Sequence, residues 1–229
     1  MVLSGVTRHF GRFVALRPIN ESFAAGRLYA ILGENGAGKS TLLRVMAGLL
    51  PPSRGTLTLL GTRQPAEVRA RCSYMAHASL LYDELDAMEN LRYFAGLYGI
   101  RDDSVCQQAI RTVHLDPVLR RRVGQYSQGM RQRLSLARAI LHEPELLLLD
   151  EPFSNVDADS ARAMVQVLEK MRDRGCTLLV VTHQASLLVG VADEFVRMAA
   201  GRIIARTAEL EPQLSPGSPV TAAGQEGVR

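Results

Sequence analysis

Gly33-Glu34-Asn35-Gly36-Ala37-Gly38-Lys39-Ser40 fits G-x-x-x-x-G-K-[ST] at every fixed position, a spacing suited to phosphate. Glycines let the backbone curl so that successive N–H groups point inward, and a helix beginning near Gly38 adds its positive end. Lys39 can neutralise the outer phosphates and the Ser40 hydroxyl can ligate Mg²⁺; Thr41 completes the nucleotide-contacting run. The alternative, a plain glycine turn ahead of a helix, is disfavoured by the apolar strand in front and the helical pattern behind.

Two carboxylates and two histidines extend this chemistry. Asp150 ends a run of leucines, where a carboxylate can hold Mg²⁺ through water. Glu151, one residue on, should face the terminal phosphate as a base that orients the attacking water. A solubilising Asp-Glu pair at a strand end is the alternative reading. His183 closes the next apolar run, where a ring N–H can reach the terminal phosphate or the water; taken alone it would read as a structural cap.

These residues need a sheet to position them. Leu146 to Leu149 and "TLLVV" at 177–181 are continuously apolar, as strands buried on two faces are, and a helix from about Ser160 to Arg174, closed by Gly175, joins them. Strand, helix, strand implies a parallel sheet with right-handed crossovers. Residues 2–32 alternate apolar and polar positions around turn signals, which predicts short antiparallel strands leading into Arg27–Leu32. A helix from Gly38 to Leu49 should stop at Pro51 and Pro52, and "GTLTLLG" at 55–61 should be a further strand. From Asp86 to about Leu141 the chain reads as helical. Asp86 and Glu89 are spaced as a capping box, and Leu91, Phe94, Ala95 and Tyr98 recur on one face. "EFVRMAAGRIIARTA" predicts a hairpin turning at Ala200 and Gly201, and the Pro/Gly/Ser-rich stretch 211–229 predicts a disordered tail.

The totals exclude several classes. The 229 residues, 47% of them hydrophobic, can bury a core, and the net charge of +4 is spread along the chain, so no basic arm for nucleic acid stands out. Of the 27 basic residues only Lys39 and Lys170 are lysines, a skew that carries no functional weight by itself. Cys72, Cys106 and Cys176 are far apart and odd in number, which argues against a disulfide framework or a zinc site and fits a reducing cytosol. No apolar run approaches the ~20 residues of a membrane helix, and the opening residues do not read as a leader.

Five elements stand in a specific order: the phosphate loop, the helical insert, "YSQGMRQRLSLARA" at 126–139, "LLLLDEP" at 146–152, and "SNVD" at 154–157 followed by His183. Over roughly residues 2–205 the chain resembles the ATP-binding subunits of ABC transporters. The resemblance implies an α/β fold with a P-loop NTPase core and mainly parallel sheet, an antiparallel β subdomain, and an α-helical subdomain inserted at about 78–142 within an ATPase domain of residues 1–210. It implies ATP and Mg²⁺ as ligands, with Ser40, Asp150 and His77 around the metal. It also implies a homodimer or paired ATPase subunit, each ATP sandwiched between one phosphate loop and the partner's signature segment, here Ser127, Gln128, Gly129 and Met130. Asp157 would link the two sites. Phe10, ahead of Gly11, matches the place where the family stacks adenine; a plain core phenylalanine is the alternative.

The sequence departs from the family in two places. The usual L-S-G-G-Q reads Tyr126-Ser127-Gln128-Gly129-Met130, which keeps the serine and second glycine, so activity is expected. His77 stands where a glutamine normally touches Mg²⁺; an imidazole nitrogen can replace that oxygen, with coupling then sensitive to pH, or the swap is simply tolerated in a mobile loop. His77 followed by "LLYDEL" and "ENLRYFAGLYG" looks like the haem exporter ATPases of cytochrome c maturation.

The expected role is therefore to power export through separate transmembrane subunits. The chain would sit in the cytoplasm on the inner face of the membrane, with the segment from His77 to Tyr98 as docking surface and no nucleic acid partner. ATPases of drug, polysaccharide or other exporters are the nearest rivals. A soluble ABC ATPase of DNA repair or translation needs a second ATPase half or a long coiled-coil insertion, which the sequence lacks. A catalytically dead regulator is disfavoured by the presence of Lys39, Glu151 and His183.

Overall fold

The continuously apolar runs form the middle of a sheet covered on both sides. Strands β5 (Cys72–Met75), β6 (Leu146–Asp150), β7 (Thr177–Val181), β3 (Leu28–Leu32) and β8 (Glu194–Ala199) lie parallel in that order, and β9 (Arg202–Thr207) closes the edge antiparallel to β8. The structure, a computed structural model, describes residues 1–210, so the predicted disordered tail lies outside the described residues.

Alternation along these strands divides two cores. Leu28, Ala30, Leu147, Leu149, Leu178 and Val180 pack on one side with helices α5 (Gln128–Ile140) and α6 (Ala158–Asp173). Tyr29, Ile31, Leu146, Leu148, Leu179 and Val181 pack on the other with α1 (Lys39–Met46) and an antiparallel sheet. None of these twelve side chains is more than 1% exposed. Each Leu, Ile or Val buried in this way stabilises the fold by about 1.5–3 kcal/mol, and both faces can be apolar only because both are covered.

The antiparallel sheet holds β1 (Val2–Phe10) between β2 (Phe13–Ser22) and β4 (Arg54–Thr58). The insert carries α3 (Ala87–Leu97) and α4 (Asp103–Thr112) ahead of α5. Asp86 Oδ1 accepts from the Glu89 N–H at 2.9 Å while Glu89 Oε2 accepts from the Asp86 N–H at 2.8 Å, completing the expected capping box. The β8–β9 hairpin turns at Ala200 and Gly201, both with positive φ (45° and 74°), the twist that suits a tight antiparallel connection.

Several boundaries differ from expectation. α1 stops at Met46, not Leu49, because Gly48 turns left-handed and the Arg44 carbonyl takes the N–H groups of both Leu49 and Leu50. The strand expected at 55–61 ends at Thr58. Helix α2 (Pro65–Arg71), opened by Pro65 with Glu67 in its first turn, and β5 were not anticipated: "CSYM" is too short to show a period, and its place comes from pairing with Leu146–Leu149. Tyr98, expected on the buried face of α3, is 45% exposed and stacks on His142 with ring centroids 3.9 Å apart.

All three cysteines are buried and unpaired, and burial pushes the Cys72 and Cys176 thiols up to about 12, which leaves them unreactive at neutral pH. Among the described residues no helix is long and apolar enough to cross a membrane.

Candidate functional site

The glycine loop leaves β3 at Leu32 and enters α1 at Lys39, wedged between two neighbouring strands. A Cβ on Gly33 would stand 2.2 Å from the Met198 carbonyl oxygen of β8, and one on Gly38 would stand 2.7 Å from that of Ala15 in β2. Both glycines also have positive φ, 146° and 99°, so no other residue type keeps this curl. Glu34, Asn35 and Gly36 are exposed along the loop, and Ala37 is buried beneath it. Thr41, half-buried, follows in the first turn of α1.

Lys39 is only 5% exposed; its ammonium donates to the carbonyls of Gly33 at 2.6 Å and Glu34 at 2.9 Å. Burial lowers its pKa, and the charges of Glu151 and Asp150 work against that shift. Asp150, 2% exposed at the end of β6, accepts from Ser40 Oγ at 2.8 Å on one oxygen and from the Tyr74 hydroxyl at 3.0 Å on the other.

Glu151 follows directly with φ 55°, a left-handed conformation that costs a side-chain-bearing residue about 1–2 kcal/mol. Its backbone is fixed there: its N–H donates to the Val181 carbonyl at 2.9 Å, and its carbonyl accepts from Ser154 Oγ at 3.0 Å. The reversal sends the carboxylate across the end of β7, where Oε2 accepts from the His183 N–H at 3.1 Å. Oε1 lies 3.2 Å from His183 Nε2 but completes no hydrogen bond, because that nitrogen is aimed at Asn35 Oδ1, 3.1 Å away. Phosphate loop, carboxylates and histidine therefore meet where β3, β6 and β7 end side by side.

His77, expected to touch the metal, hydrogen-bonds neither Ser40 nor Asp150 here; the partners of Asp150 are Ser40 and Tyr74. β5 ends at Met75 and the following residues carry the ring over the 151–154 loop, so its Nδ1 lies 3.3 Å from Ser154 Oγ. Tyr74, which sequence reasoning missed, is the residue of this segment that reaches Asp150; its only available signal was the register opposite Leu148.

Ser127 caps α5, its Oγ accepting from the Met130 N–H at 3.2 Å, and Ser127 and Gln128 stand exposed at the helix tip. Gly129 is buried against the start of α6, which Asp157 caps through the Ser160 N–H at 2.8 Å. Asp157, expected to communicate between subunits, thus touches the α5 tip of its own chain. His77, Tyr126, Gln128, Gln132 and Ser154 wall a cleft of about 410 Å³ between the insert and this region. Phe10 is 43% exposed at the end of β1, which sets aside the core-residue alternative.

A hydroxyl and a carboxylate at the foot of an N–H-lined loop are hard oxygen donors that fit Mg²⁺. No group of three His, Cys, Asp or Glu that could hold a metal exists among the described residues, so the ion's other ligands would be phosphate oxygens and water.

A parallel sheet whose strand ends carry a phosphate loop and a paired Asp-Glu, with an inserted helical region bearing a second capped helix tip, defines an ATP-binding cassette ATPase. The chain belongs to the ABC transporter family: the model described as ABC transporter matches residues 16–154. It is 34% identical over 201 residues to the ABC transporter ATP-binding protein NatA of Bacillus subtilis, covering 85% of this chain and 82% of that protein. It is 41% identical over 206 residues to the aliphatic sulfonates import ATP-binding protein SsuB 2 of Pseudomonas aeruginosa, covering 89% and 73%. Among solved structures, the ADP- and Pi-bound post-hydrolysis dimer of the ATP-binding cassette MJ0796 superposes with a TM-score of 0.82 over 93% of this chain and 99% of that one; at 22% identity this speaks for the fold alone.

Proposed function

We propose that this chain is the ATP-hydrolysing subunit that powers export through separate membrane subunits, peripheral on the inner face of the membrane. The observation that carries the ATPase part is the convergence of Lys39, Asp150, Glu151 and His183 at three adjacent strand ends. Lys39 and the loop N–H groups hold the phosphates, and Ser40 and Asp150 would hold Mg²⁺, which when bound supplies positive charge against the phosphate groups. Glu151 orients the attacking water, and His183, steadied by Asn35, reaches the terminal phosphate. Two copies close around ATP, the tip of α5 at Ser127–Gly129 in one facing the terminal phosphate held by the other; losing that phosphate loosens the pair.

Coupling to a membrane partner is supported by an apolar surface on the insert: Leu80, Tyr82, Tyr93, Leu97 and Tyr98 are each at least 43% exposed. Haem as cargo rests on His77 and its neighbours alone. Cell fractionation tests the transport reading. The chain should sediment with membranes, and Leu97→Asp should release it into the soluble fraction. Recovery only in complexes with ribosomes or DNA contradicts transport, and haem export requires that loss of this chain deplete c-type cytochromes.

A further inference from the structure

Phe10 and Phe13 face each other across the tight turn between β1 and β2, with Gly11 at φ 57°, and both rings are exposed, 43% and 62%. Phe13 begins β2 two residues before Ala15, whose carbonyl oxygen abuts Gly38, so the turn lies about 7 Å along the strand from the phosphate loop. An exposed aromatic at that distance from a triphosphate site can meet the base, but a free benzyl group at a hairpin tip has rotamers to lose on stacking.

Arg8 restricts that freedom. Its guanidinium carbon lies 4.7 Å from the centroid of the Phe10 ring, covering one face, and its Nη1 donates to the Pro51 carbonyl at 2.8 Å. Pro51 closes the turn that follows α1, the helix whose first residue is Lys39. One arginine therefore links the exposed ring to the far end of the phosphate-binding helix, and it leaves a single ring face open.

We propose that Arg8 is a positioning residue for base recognition: it holds Phe10 by a cation–π contact in the orientation that stacks adenine. This rests on the reading of Phe10 as the adenine platform. The Arg8 Nε is buried with no hydrogen-bond partner, so the Phe10 ring and the Pro51 carbonyl are the contacts that retain the guanidinium. The contacts of Arg8 run to Phe10 and Pro51, not to the phosphate loop or the Ser40–Asp150 pair, so its contribution should appear with ligands that carry a base and vanish with those that do not.

The test compares Kd for ATP and for inorganic tripolyphosphate, by calorimetry, in the full chain and in Arg8→Ala, Arg8→Lys and Phe10→Ala. Arg8→Ala should weaken ATP about two- to fivefold, the size of an exposed cation–π contact, and leave tripolyphosphate unchanged. Arg8→Lys, which keeps a cation, should recover part of the loss. Phe10→Ala should weaken ATP at least about fivefold with tripolyphosphate again unchanged. If Phe10→Ala leaves the ratio of the two affinities untouched, the platform reading falls and the proposal with it. If Phe10→Ala changes that ratio and Arg8→Ala does not, or if Arg8→Ala weakens both ligands equally, the role of Arg8 is overturned and the platform stands.

Discussion

Glu151 and His183 are joined at two points: the carboxylate accepts the histidine's backbone N–H at 3.1 Å, and its second oxygen stands 3.2 Å from the ring's Nε2. One oxygen is thereby spent on orientation while the other is close to, but not bonded to, an imidazole held by Asn35. The carboxylate oxygen left without a partner beside a steadied ring keeps the acceptor capacity that orienting an attacking water requires.

His183→Ala should leave the backbone bond to Glu151 intact, because that bond uses the main-chain N–H. Turnover should fall about 100-fold or more, with ATP affinity within about twofold of the parent, since the phosphates are held by the loop. Steady-state ATPase assays with nucleotide-binding titrations check this; unchanged turnover would remove His183 from the mechanism.

At the α5 tip, a Cβ added to Gly129 would stand 2.8 Å from both Asp157 Oδ2 and Ser160 Oγ, and 3.3 Å from Ser160 Cβ. Those atoms cannot simply rotate away, because Asp157 is engaged in capping α6. Gly129→Ala should displace the α5 tip at a stability cost of about 1–3 kcal/mol and reduce turnover about 100-fold, while the isolated chain still binds ATP. Thermal melts and ATPase assays on the same preparation measure both.

His142 stacks on Tyr98, and neither ring nitrogen completes a hydrogen bond of good geometry; burial lowers its pKa, and the nearby Cys72 backbone offsets only part of that. The unfolded chain takes up a proton near pH 6.5 that the fold resists, so this group costs stability as pH falls below about 6.5. His142→Phe keeps the stack and removes the proton. Its Tm should decline less than the parent's between pH 7.5 and pH 5, as read by calorimetry at several pH values; equal declines would mean the imidazole carries no linkage.

The parts of the site written in local sequence were legible without coordinates. The loop 33–40, the leucine strand ending at Asp150 and the capping box at Asp86 and Glu89 each declare themselves within a few residues, because glycine curl, two-sided burial and helix capping have short-range signatures. β5 did not, since four residues acquire strand character only from pairing with β6. Tyr74 and Ser154 were missed for the same reason: their contacts with Asp150 and His77 span 76 and 77 residues. The position of the His77 ring likewise depends on where β5 ends, since its contact with Ser154 is non-local. Exposure of Phe10 also needed the structure, because an isolated aromatic can be read as core or as platform.

Glu151→Gln tests the central claim most directly, since it keeps the shape of the side chain and removes the charge that orients water. Measured together, ATPase rate and ATP-dependent sedimentation should show turnover reduced about 100-fold or more and a stable ATP-bound dimer. Hydrolysis at the parental rate, or an ATP-loaded variant that remains monomeric, would contradict the account.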